Sequence, residues 1–164
     1  MTESLACSWT VSEGNREYDL SNHDYDSDLV ESSLSSSFQG FYKIVVTMND
    51  LIQGVELNKK KISDDVYNIG VGEAHALRAL AHFDLIRLWG PMPTGIDGNR
   101  DYLPYVTTVQ LENYPYSNYR EYMNKLCADL DSAELLLKQV DPILSAGKSS
   151  GYRPNRMNYY GVLG

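Results

Sequence analysis

The sequence predicts an all-α protein built from packed helical pairs that long loops connect. Apolar side chains recur at helical spacing in three separate stretches, and capping residues, Gly or Pro bound each stretch. The central stretch, residues 72–93, is rich in Ala, Leu and Arg, and it predicts a long helix that stops at Gly90-Pro91. The predicted helices cover residues 38–56, 64–89, 118–138 and the chain from residue 155 onward.

Composition and charge narrow the class of protein. The chain has 164 residues, of which 43% are hydrophobic and 22% charged, as is usual for a globular protein with its own core. The formal net charge of −8 argues against nucleic acid or an anionic membrane as the main partner. The sequence contains no run of about 18 apolar residues, so no transmembrane helix is predicted.

The helix predicted from the central stretch has two apolar faces, whereas a surface helix has one. The first face contains Leu77, Ala81, Leu85 and Leu88, and the second contains Ala76, Ala79, Leu80, Phe83 and Ile86. Two polar stripes separate these faces, one with Glu73, Asp84 and Arg87 and the other with His75, Arg78 and His82. Such a helix is expected to lie between other helices, with Leu77, Leu80, Phe83 and Leu88 in the core. The change Phe83→Ala would then cost about 3–5 kcal/mol.

The segments around this helix differ in character. Residues 1–34 are acidic and weakly patterned and predict a loop-rich N-terminal segment, whereas residues 35–164 form the predicted helical region. The serines at 35–37 are N-cap candidates for the first helix, and Asn118 is the candidate for the third. Residues 91–117 form a long connection with four Pro and four Tyr, and a loop of this length is usually functional or ordered by its own packing.

The ionisable side chains form no recognisable catalytic or metal-binding set. His75 and His82 are seven positions apart, and Glu73 lies in the opposite stripe, so a hydrogen-bonded polar stripe is favoured over a metal site. Asp84 and Arg87 have the spacing of an ion pair between packed helices. No phosphate-binding loop or nucleophile motif occurs in the sequence. We therefore predict a protein that is not an enzyme, with no catalytic residue, metal or cofactor.

Three weaker features are interpreted without a special function. Asp24, Asp26 and Asp28 are spaced like calcium ligands, but the Gly and Glu that complete a calcium-binding loop are missing, so a solvated acidic loop is predicted. Cys127 lies in a helical pattern and is expected to be a small buried side chain. Cys7 loosely resembles a lipidation site, but no apolar leader precedes it in this sequence, so it is not predicted to carry the lipid.

The central stretch and its neighbours resemble a known family. The pattern G-E-A-x-x-L-R-A-x-x-x-F-D-L-I-R-L-W-G-x-M-P at residues 72–93 is similar to the signature helix of the SusD/RagB-like proteins. The preceding helix, with Tyr42 and Asn49, and the following helix, with Asp129, also resemble family segments. The signature positions in this chain are Gly72, Glu73, Ala74, Leu77, Arg78, Ala79, Phe83, Asp84, Arg87, Gly90 and Pro93.

The resemblance implies a fold of tetratricopeptide-like helical pairs, an α-α superhelix. It also implies a lipid-anchored nutrient-binding protein on the surface of a Gram-negative outer membrane. Its partners would be an oligosaccharide or another nutrient and a TonB-dependent (SusC-like) transporter. On this interpretation the chain is a fragment that lacks both ends of the protein, including the lipid anchor. The alternative is a general tetratricopeptide-like scaffold for protein–protein interaction, but roughly 34-residue repeats would not contain the connection at 91–117.

The candidate ligand contacts are Trp9 and Tyr18, in the polar N-terminal segment. An aromatic ring can stack on the C–H face of a sugar while neighbouring polar groups bond its hydroxyls. A structural role for Trp9 is the alternative and is the commoner one for aromatic side chains. Because the family resemblance assigns most ligand contacts to loops and to other parts of the protein, we expect this chain to bind oligosaccharides weakly or not at all. Self-association is expected through the apolar side chains Met157, Tyr160 and Leu163.

Overall fold

The computed structural model describes residues 10–141 and 157–164, and these residues form an all-α fold, as predicted. The helices are α1 (Arg16–Ser21), α2 (Asp28–Leu57), α3 (Asp64–Trp89), α4 (Tyr119–Val140) and α5 (Tyr159–Leu163). Between them lie two 3-10 turns, Lys59–Lys61 and Pro93–Gly95, and two antiparallel strands, β1 (Asp101–Leu103) and β2 (Ser117–Asn118). Among these helices, none has the length and hydropathy needed to cross a membrane.

The chain packs as two compact units, residues 1–40 and residues 41–164, and α2 runs through the boundary between them. In the first unit, Leu20 of α1 is buried. The hydroxyl of Ser27 donates to the carboxylate of Asp19 at 2.7 Å and so ties the turn before α2 to α1. In the second unit, α3 and α4 contribute most of the buried side chains.

The start of α2 differs from the prediction. The helix begins at Asp28, ten positions before the predicted start at residue 38, so the serines at 35–37 lie inside it and do not cap it. The prediction of a loop-rich segment over residues 1–34 is therefore wrong for residues 28–34 and for α1. Asp28 and Glu31 lie in the first turn, where carboxylates stabilise the positive end of the helix dipole. The hydroxyl of Ser37 bonds the carbonyl of Ser33 within the helix, which lets serine remain in a helix interior.

The bounds of α3 and α4 agree with the predictions. Ser63 caps α3 by accepting the backbone N–H of Val66 at 3.4 Å. Asn118 caps α4 by accepting the N–H of Glu121 at 3.0 Å. At the end of α3, a Cβ on Gly90 would lie 2.2 Å from the carbonyl oxygen of Ile86, so this helix stop requires glycine.

Helix α3 lies between α2 and α4, as its two apolar faces predicted. From residue 41 onward, α2 runs antiparallel to α3, because Phe41 contacts Trp89 at the far end while Asn49 bonds Arg78 nearer the middle. Helix α4 is antiparallel to α3 in the same way, since Arg78 and His82 bond residues progressively earlier in α4. The three helices therefore form two antiparallel pairs that share α3.

Gly72 allows α3 and α4 to approach each other closely. A Cβ at this position would lie 2.9 Å from Cγ of Leu137 and 3.2 Å from Cβ of Leu136. Leu137 is fully buried, so it has little freedom to move aside. Gly70 lies two residues earlier in α3, and a Cβ built there would have no atom within 4 Å. The glycine at position 72 is therefore required by packing, whereas the one at 70 is not.

The second apolar face of α3 is only half-covered, so one part of the core prediction is wrong. Leu80 and Phe83 are 46% and 43% exposed, and Leu77 and Leu88 are half-buried. Cys127 is exposed as well, contrary to prediction. The covered side of α3 is formed by small residues, by Leu85 and Ile86, and by the polar stripe that contains Arg78. The exposed side is part of an apolar groove that includes Leu80, Phe83, Met123, Cys127, Leu130 and Val162.

We expect the two glycines of α3 to respond oppositely to alanine. Gly72→Ala should lower the free energy of unfolding by about 1–3 kcal/mol, because a methyl group overpacks the contact with Leu137. Gly70→Ala is the matched control and should be neutral or stabilising by up to about 1 kcal/mol, because alanine is the better helix former. Urea denaturation measures both. Equal effects of the two changes would contradict the close α3–α4 contact.

A second pair of variants tests the exposed side of α3. Phe83→Ala should cost about 1–2 kcal/mol, since roughly half of the ring is already in water. Leu85→Ala should cost about 2–5 kcal/mol, because Leu85 is fully buried on the same helix. The comparison is made by chemical denaturation of both variants. A loss at Phe83 as large as that at Leu85 would mean that the groove is closed in solution.

Candidate functional site

The long connection between α3 and α4, residues 90–118, lies on the helices and is held there by buried polar groups. Leu103, Tyr105 and Val106 are buried, as is Ser117 at the other end of the connection. The hydroxyl of Tyr42 on α2 donates to the carbonyl of Pro104 at 3.1 Å. The sequence predicted that this connection is either functional or ordered by its own packing, and the structure shows an ordered connection that also bonds the helices. We call residues 90–118 the crossover connection.

An Arg78–Asp129 ion pair is the centre of the polar network under this connection. Both side chains are about nine-tenths buried or more, with side-chain exposures of 6% and 7%. Nε of Arg78 donates to Oδ2 of Asp129 at 2.8 Å, and Nη2 donates to Oδ1, which gives a bidentate pair. His75 lies 2.9 Å from Oδ1 of Asp129, and the hydroxyl of Tyr105 donates to Oδ2 at 2.6 Å. The pair therefore links α3, α4 and the crossover connection.

Asn49 connects this ion pair to the backbone of the crossover connection. Its side-chain oxygen accepts from Nη1 of Arg78 at 2.6 Å, which leaves its amide group as a donor. That amide donates to the carbonyls of Val106 at 3.2 Å and Thr108 at 3.4 Å. Arg78 itself reaches the carbonyl of Thr107 at 3.4 Å. Three successive carbonyls of an irregular segment are thus satisfied by side chains from α2 and α3.

His82 holds the same segment one helical turn further along α3. The geometry fits a neutral ring with the proton on Nδ1. Nδ1 then donates to the Tyr122 hydroxyl at 2.8 Å, and that hydroxyl donates to the carbonyl of His82 at 2.9 Å. Nε2 accepts the backbone N–H of Val106 at 3.2 Å, and the ring stacks on Tyr105 with centroids 3.8 Å apart. The stripe predicted from His75, Arg78 and His82 is thus confirmed as hydrogen-bonded, and Arg78 and His82 in it are buried.

Burial and hydrogen bonding shift the pKa values of these groups in ways that keep the network intact. Burial lowers the pKa of His82 to about 4, although its contact with the Val106 carbonyl acts in the opposite direction. Burial alone would raise the pKa of Asp129, but hydrogen bonds from Arg78, His75 and Tyr105 lower it to about 2. Burial also raises the pKa of Tyr105, and the adjacent Asp129 charge adds to this shift. Near neutral pH, His82 is therefore uncharged and Asp129 is ionised.

Three tyrosine rings of the crossover connection reach solvent. Tyr116 is 62% exposed, and Tyr102 and Tyr114 are half-buried. The hydroxyl of Tyr102 accepts the backbone N–H of Asp97 at 2.8 Å, and the guanidinium of Arg100 lies 5.6 Å from its ring centroid. The connection thus contains both buried residues that bond the helices and tyrosine rings that are partly or largely in solvent.

No interaction among the described residues links the two predicted ligand contacts, Trp9 and Tyr18, to the crossover connection. Trp9 lies outside the described residues. Tyr18 lies in α1, in the first unit, where it is half-buried and its hydroxyl donates to the carboxylate of Glu13 at 3.3 Å. Both residues remain predictions as ligand contacts.

The signature residues are mainly structural. Glu73, Ala74, Arg78 and Ala79 are buried, and Gly72 and Gly90 occupy positions that a Cβ would disturb. Asp84 and Arg87 form the predicted ion pair at 2.7 Å, but on the surface and not between helices. Pro93 begins a 3-10 turn. In residues 10–141 and 157–164, no group of three or more His, Cys, Asp or Glu side chains could hold a metal ion.

Sequence reasoning missed how Asn49, Tyr105 and Tyr122 act together. Asn49 and Tyr122 are fully buried, and each has a polar group bonded to α3 or to the crossover connection. A polar residue on the apolar side of a predicted helix was the available signal. Asn49 and Asp129 are both such residues, but their positions in the sequence do not identify the residues that they bond.

Acid should weaken the fold through His82. Because its pKa is about 4 in the folded protein and about 6.5 when unfolded, the unfolded chain binds the proton first as the pH falls. The contribution of His82 to stability is therefore complete above about pH 6.5 and is lost progressively toward pH 4. The loss should reach up to about 3 kcal/mol in the free energy of unfolding. Urea denaturation across this pH range measures it.

Two variants serve as controls for the acid effect. His82→Gln removes the titrating ring, so its stability should be lower at neutral pH but should depend less on pH between about 6.5 and 4. His23→Asn replaces an exposed histidine and should keep the wild-type profile. A wild-type profile that is flat across this range would contradict a buried, neutral His82.

Comparisons with known proteins agree with this architecture. A family model described as "Starch-binding associating with outer membrane", SusD-like, matches residues 2–163. A SusD-like protein of Bacteroides ovatus is 26% identical over 136 residues, which cover 76% of this chain and 25% of the relative. The chain thus spans about a quarter of the length of that relative.

Two solved structures share the fold. A putative sugar-binding protein from Bacteroides vulgatus superposes with a TM-score of 0.60 at 22% identity, over 79% of this chain and 27% of that protein. A protein crystallised with a xylogluco-oligosaccharide superposes with a TM-score of 0.57 at 22% identity, over 80% of this chain and 22% of that protein. The predicted tetratricopeptide-like helical fold is confirmed by these likenesses. The family model matches nearly the whole chain, and the chain belongs to the SusD-like family.

Proposed function

We propose that this protein binds a glycan or a related nutrient at the surface of a Gram-negative outer membrane. In this role it works with a TonB-dependent, SusC-like transporter and is lipid-anchored. The observation that carries the proposal is the family match over residues 2–163, whose description names starch binding and the outer membrane. A structural relative was crystallised with a xylogluco-oligosaccharide, which supports a glycan as the ligand.

The described residues suit a scaffold better than an enzyme. The buried ionisable groups under the crossover connection bond other residues of the protein, because Asp129 bonds Arg78, His75 and Tyr105, and His82 bonds Tyr122 and Val106. A general acid or base must reach a substrate, but these groups face the interior. Their arrangement stabilises a surface connection, which is how a rigid binding scaffold is built. We therefore propose binding without chemical transformation.

A general protein–protein scaffold of the tetratricopeptide type is the second candidate. The apolar groove beside Leu80 and Phe83 favours it, since such grooves accept amphipathic helices. The crossover connection argues for the glycan-binding role, because an ordinary helical repeat array has short turns between its helices. The two candidates differ in ligand class, so a direct titration separates them.

Calorimetric titration with plant and host oligosaccharides tests the glycan role. We expect saturable but weak binding by the 164-residue chain, with a Kd above about 10 µM, because it covers about a quarter of its relative. Tighter binding would contradict the scaffold role and point to Trp9 with Tyr18. Trp9→Ala and Tyr18→Ala should then abolish that binding, whereas Tyr25→Ala, at an exposed tyrosine of the first unit, should not. No binding of any glycan at millimolar concentration, either by this chain or by a longer protein that contains it, would overturn the proposal.

Copurification tests the proposed partner and location. The native protein should sediment with the outer membrane and should bring a TonB-dependent transporter with it after mild detergent extraction. Recovery in the cytosolic fraction without any transporter would contradict both. Phe83→Ala provides a useful comparison, because loss of the transporter in this variant would assign the contact to the apolar groove.

A further inference from the structure

We propose that residues 104–108 of the crossover connection form a clasp that acid releases from the helices before the helices themselves unfold, with His82 as the responding group. The clasp is the part of the connection whose backbone carbonyls are bonded by side chains of α2 and α3. Its release depends on how the connection is held and not on any ligand, so the inference is independent of the proposed function.

One residue of the clasp presents both of its backbone polar groups to the same ring nitrogen. Nε2 of His82 lies 3.2 Å from the backbone nitrogen of Val106 and 3.3 Å from its carbonyl oxygen. In the neutral ring Nε2 accepts the N–H, whereas in the protonated ring the same nitrogen is a donor and can bond only the carbonyl. Protonation therefore removes the acceptor of the Val106 N–H, and an unpaired N–H in a buried residue is destabilising.

The ring of His82 is enclosed by tyrosines from three elements. Tyr42 of α2 and Tyr122 of α4 present ring edges to it, with centroids 6.2 and 5.5 Å away, and Tyr105 of the clasp stacks on it at 3.8 Å. His82 is fully buried, so a charge formed there cannot reach water while these contacts persist. Tyr42 and Tyr122 belong to helices of 30 and 22 residues, whereas Tyr105 belongs to an irregular segment. Movement of the clasp is therefore the least costly way to hydrate the charge.

The charged groups near His82 do not compensate for its protonation. Burial lowers the pKa of His82 to about 4, and the positive charges of Arg78 and Lys125 act in the same direction. The carboxylate of Asp129 opposes this shift, but it is already paired with Arg78. Burial raises the pKa of each of the three enclosing tyrosines, so they stay uncharged. The closed clasp therefore disfavours the protonated ring.

The size and sign of the response follow from the pKa of the ring in the two forms. Release exposes the ring to water and restores its ordinary pKa of about 6.5, whereas the pKa in the closed clasp is about 4. The released form therefore binds the proton first as the pH falls. Its population relative to the closed form should rise about 20-fold between pH 7 and pH 5.

Hydrogen exchange of the 164-residue chain tests the clasp. Exchange is followed by NMR at pH 7 and pH 5 and corrected for the intrinsic pH dependence of the exchange reaction. The probes are the backbone N–H of Val106 in the clasp and those of Leu126 and Ala133 inside α4. Protection of Val106 should be lower than that of the α4 amides at both pH values, because the clasp opens locally. It should also fall about 20-fold at pH 5.

Three histidine variants assign the response. His82→Gln cannot gain the charge, so protection of Val106 should differ by less than about twofold between the two pH values. His75→Asn removes a histidine that contacts Asp129, and His23→Asn removes an exposed one; both should retain the response. If His82→Gln does not fold, the wild type provides the assignment. The rise in Val106 exchange should then level off near pH 4, where NMR titration shows the His82 ring becoming protonated.

Three results would overturn the inference. Equal protection of Val106 and the α4 amides would mean that the clasp opens only when the helices unfold. Unchanged protection of Val106 between pH 7 and pH 5 would mean that acid does not release it. A change that persists in His82→Gln would remove His82 as the responding group. Each of these results leaves the proposed glycan binding intact, since no sugar is present in the experiment.

Discussion

A buried arginine needs a complete set of partners, and the second unit of this protein is organised by that requirement. An unpaired charge in a protein interior is costly by several kcal/mol, so Arg78 must be met by groups from elsewhere in the chain. Asp129 supplies the carboxylate from α4, and Asn49 supplies an oxygen from α2. These bonds can form together only when α2 and α4 both pack against α3. The ion pair therefore specifies the helical arrangement as well as occupying its interior.

The same network explains how a long irregular segment becomes ordered. The backbone carbonyls of residues 106–108 have no helix or sheet to satisfy them, and Asn49 and Arg78 bond them instead. In addition, Nε2 of His82 accepts the backbone N–H of Val106. Since buried backbone groups must be paired, this segment can lie on the helices only where these side chains occur. An apolar helix surface would have left the connection in solvent.

Small residues complete the arrangement by allowing the backbones to approach. Gly72 brings α3 against Leu137 of α4, and the alanines at 74, 76, 79 and 81 leave room for the polar side chains between the helices. The large apolar residues Leu80 and Phe83 consequently fall on the open side and border the groove. The covered side of the signature helix thus consists mostly of small and polar residues, with Leu85 and Ile86 as its large apolar side chains. This distribution places a rigid connection on one part of the surface and an apolar groove on another.

The sequence by itself determined the all-α class and the bounds of α3 and α4, because caps and stops act within a few residues of the helix ends. It misplaced the start of α2, where serines form local bonds inside a helix as readily as caps. It could not predict which face of α3 is the more buried, since burial depends on what packs against each face. The partners of Arg78 lie 51 and 29 positions away in the chain. Tertiary structure alone decided that Arg78 and His82 are interior and Phe83 is half-exposed, because only the assembled helices and connection supply the hydrogen bonds that permit polar burial.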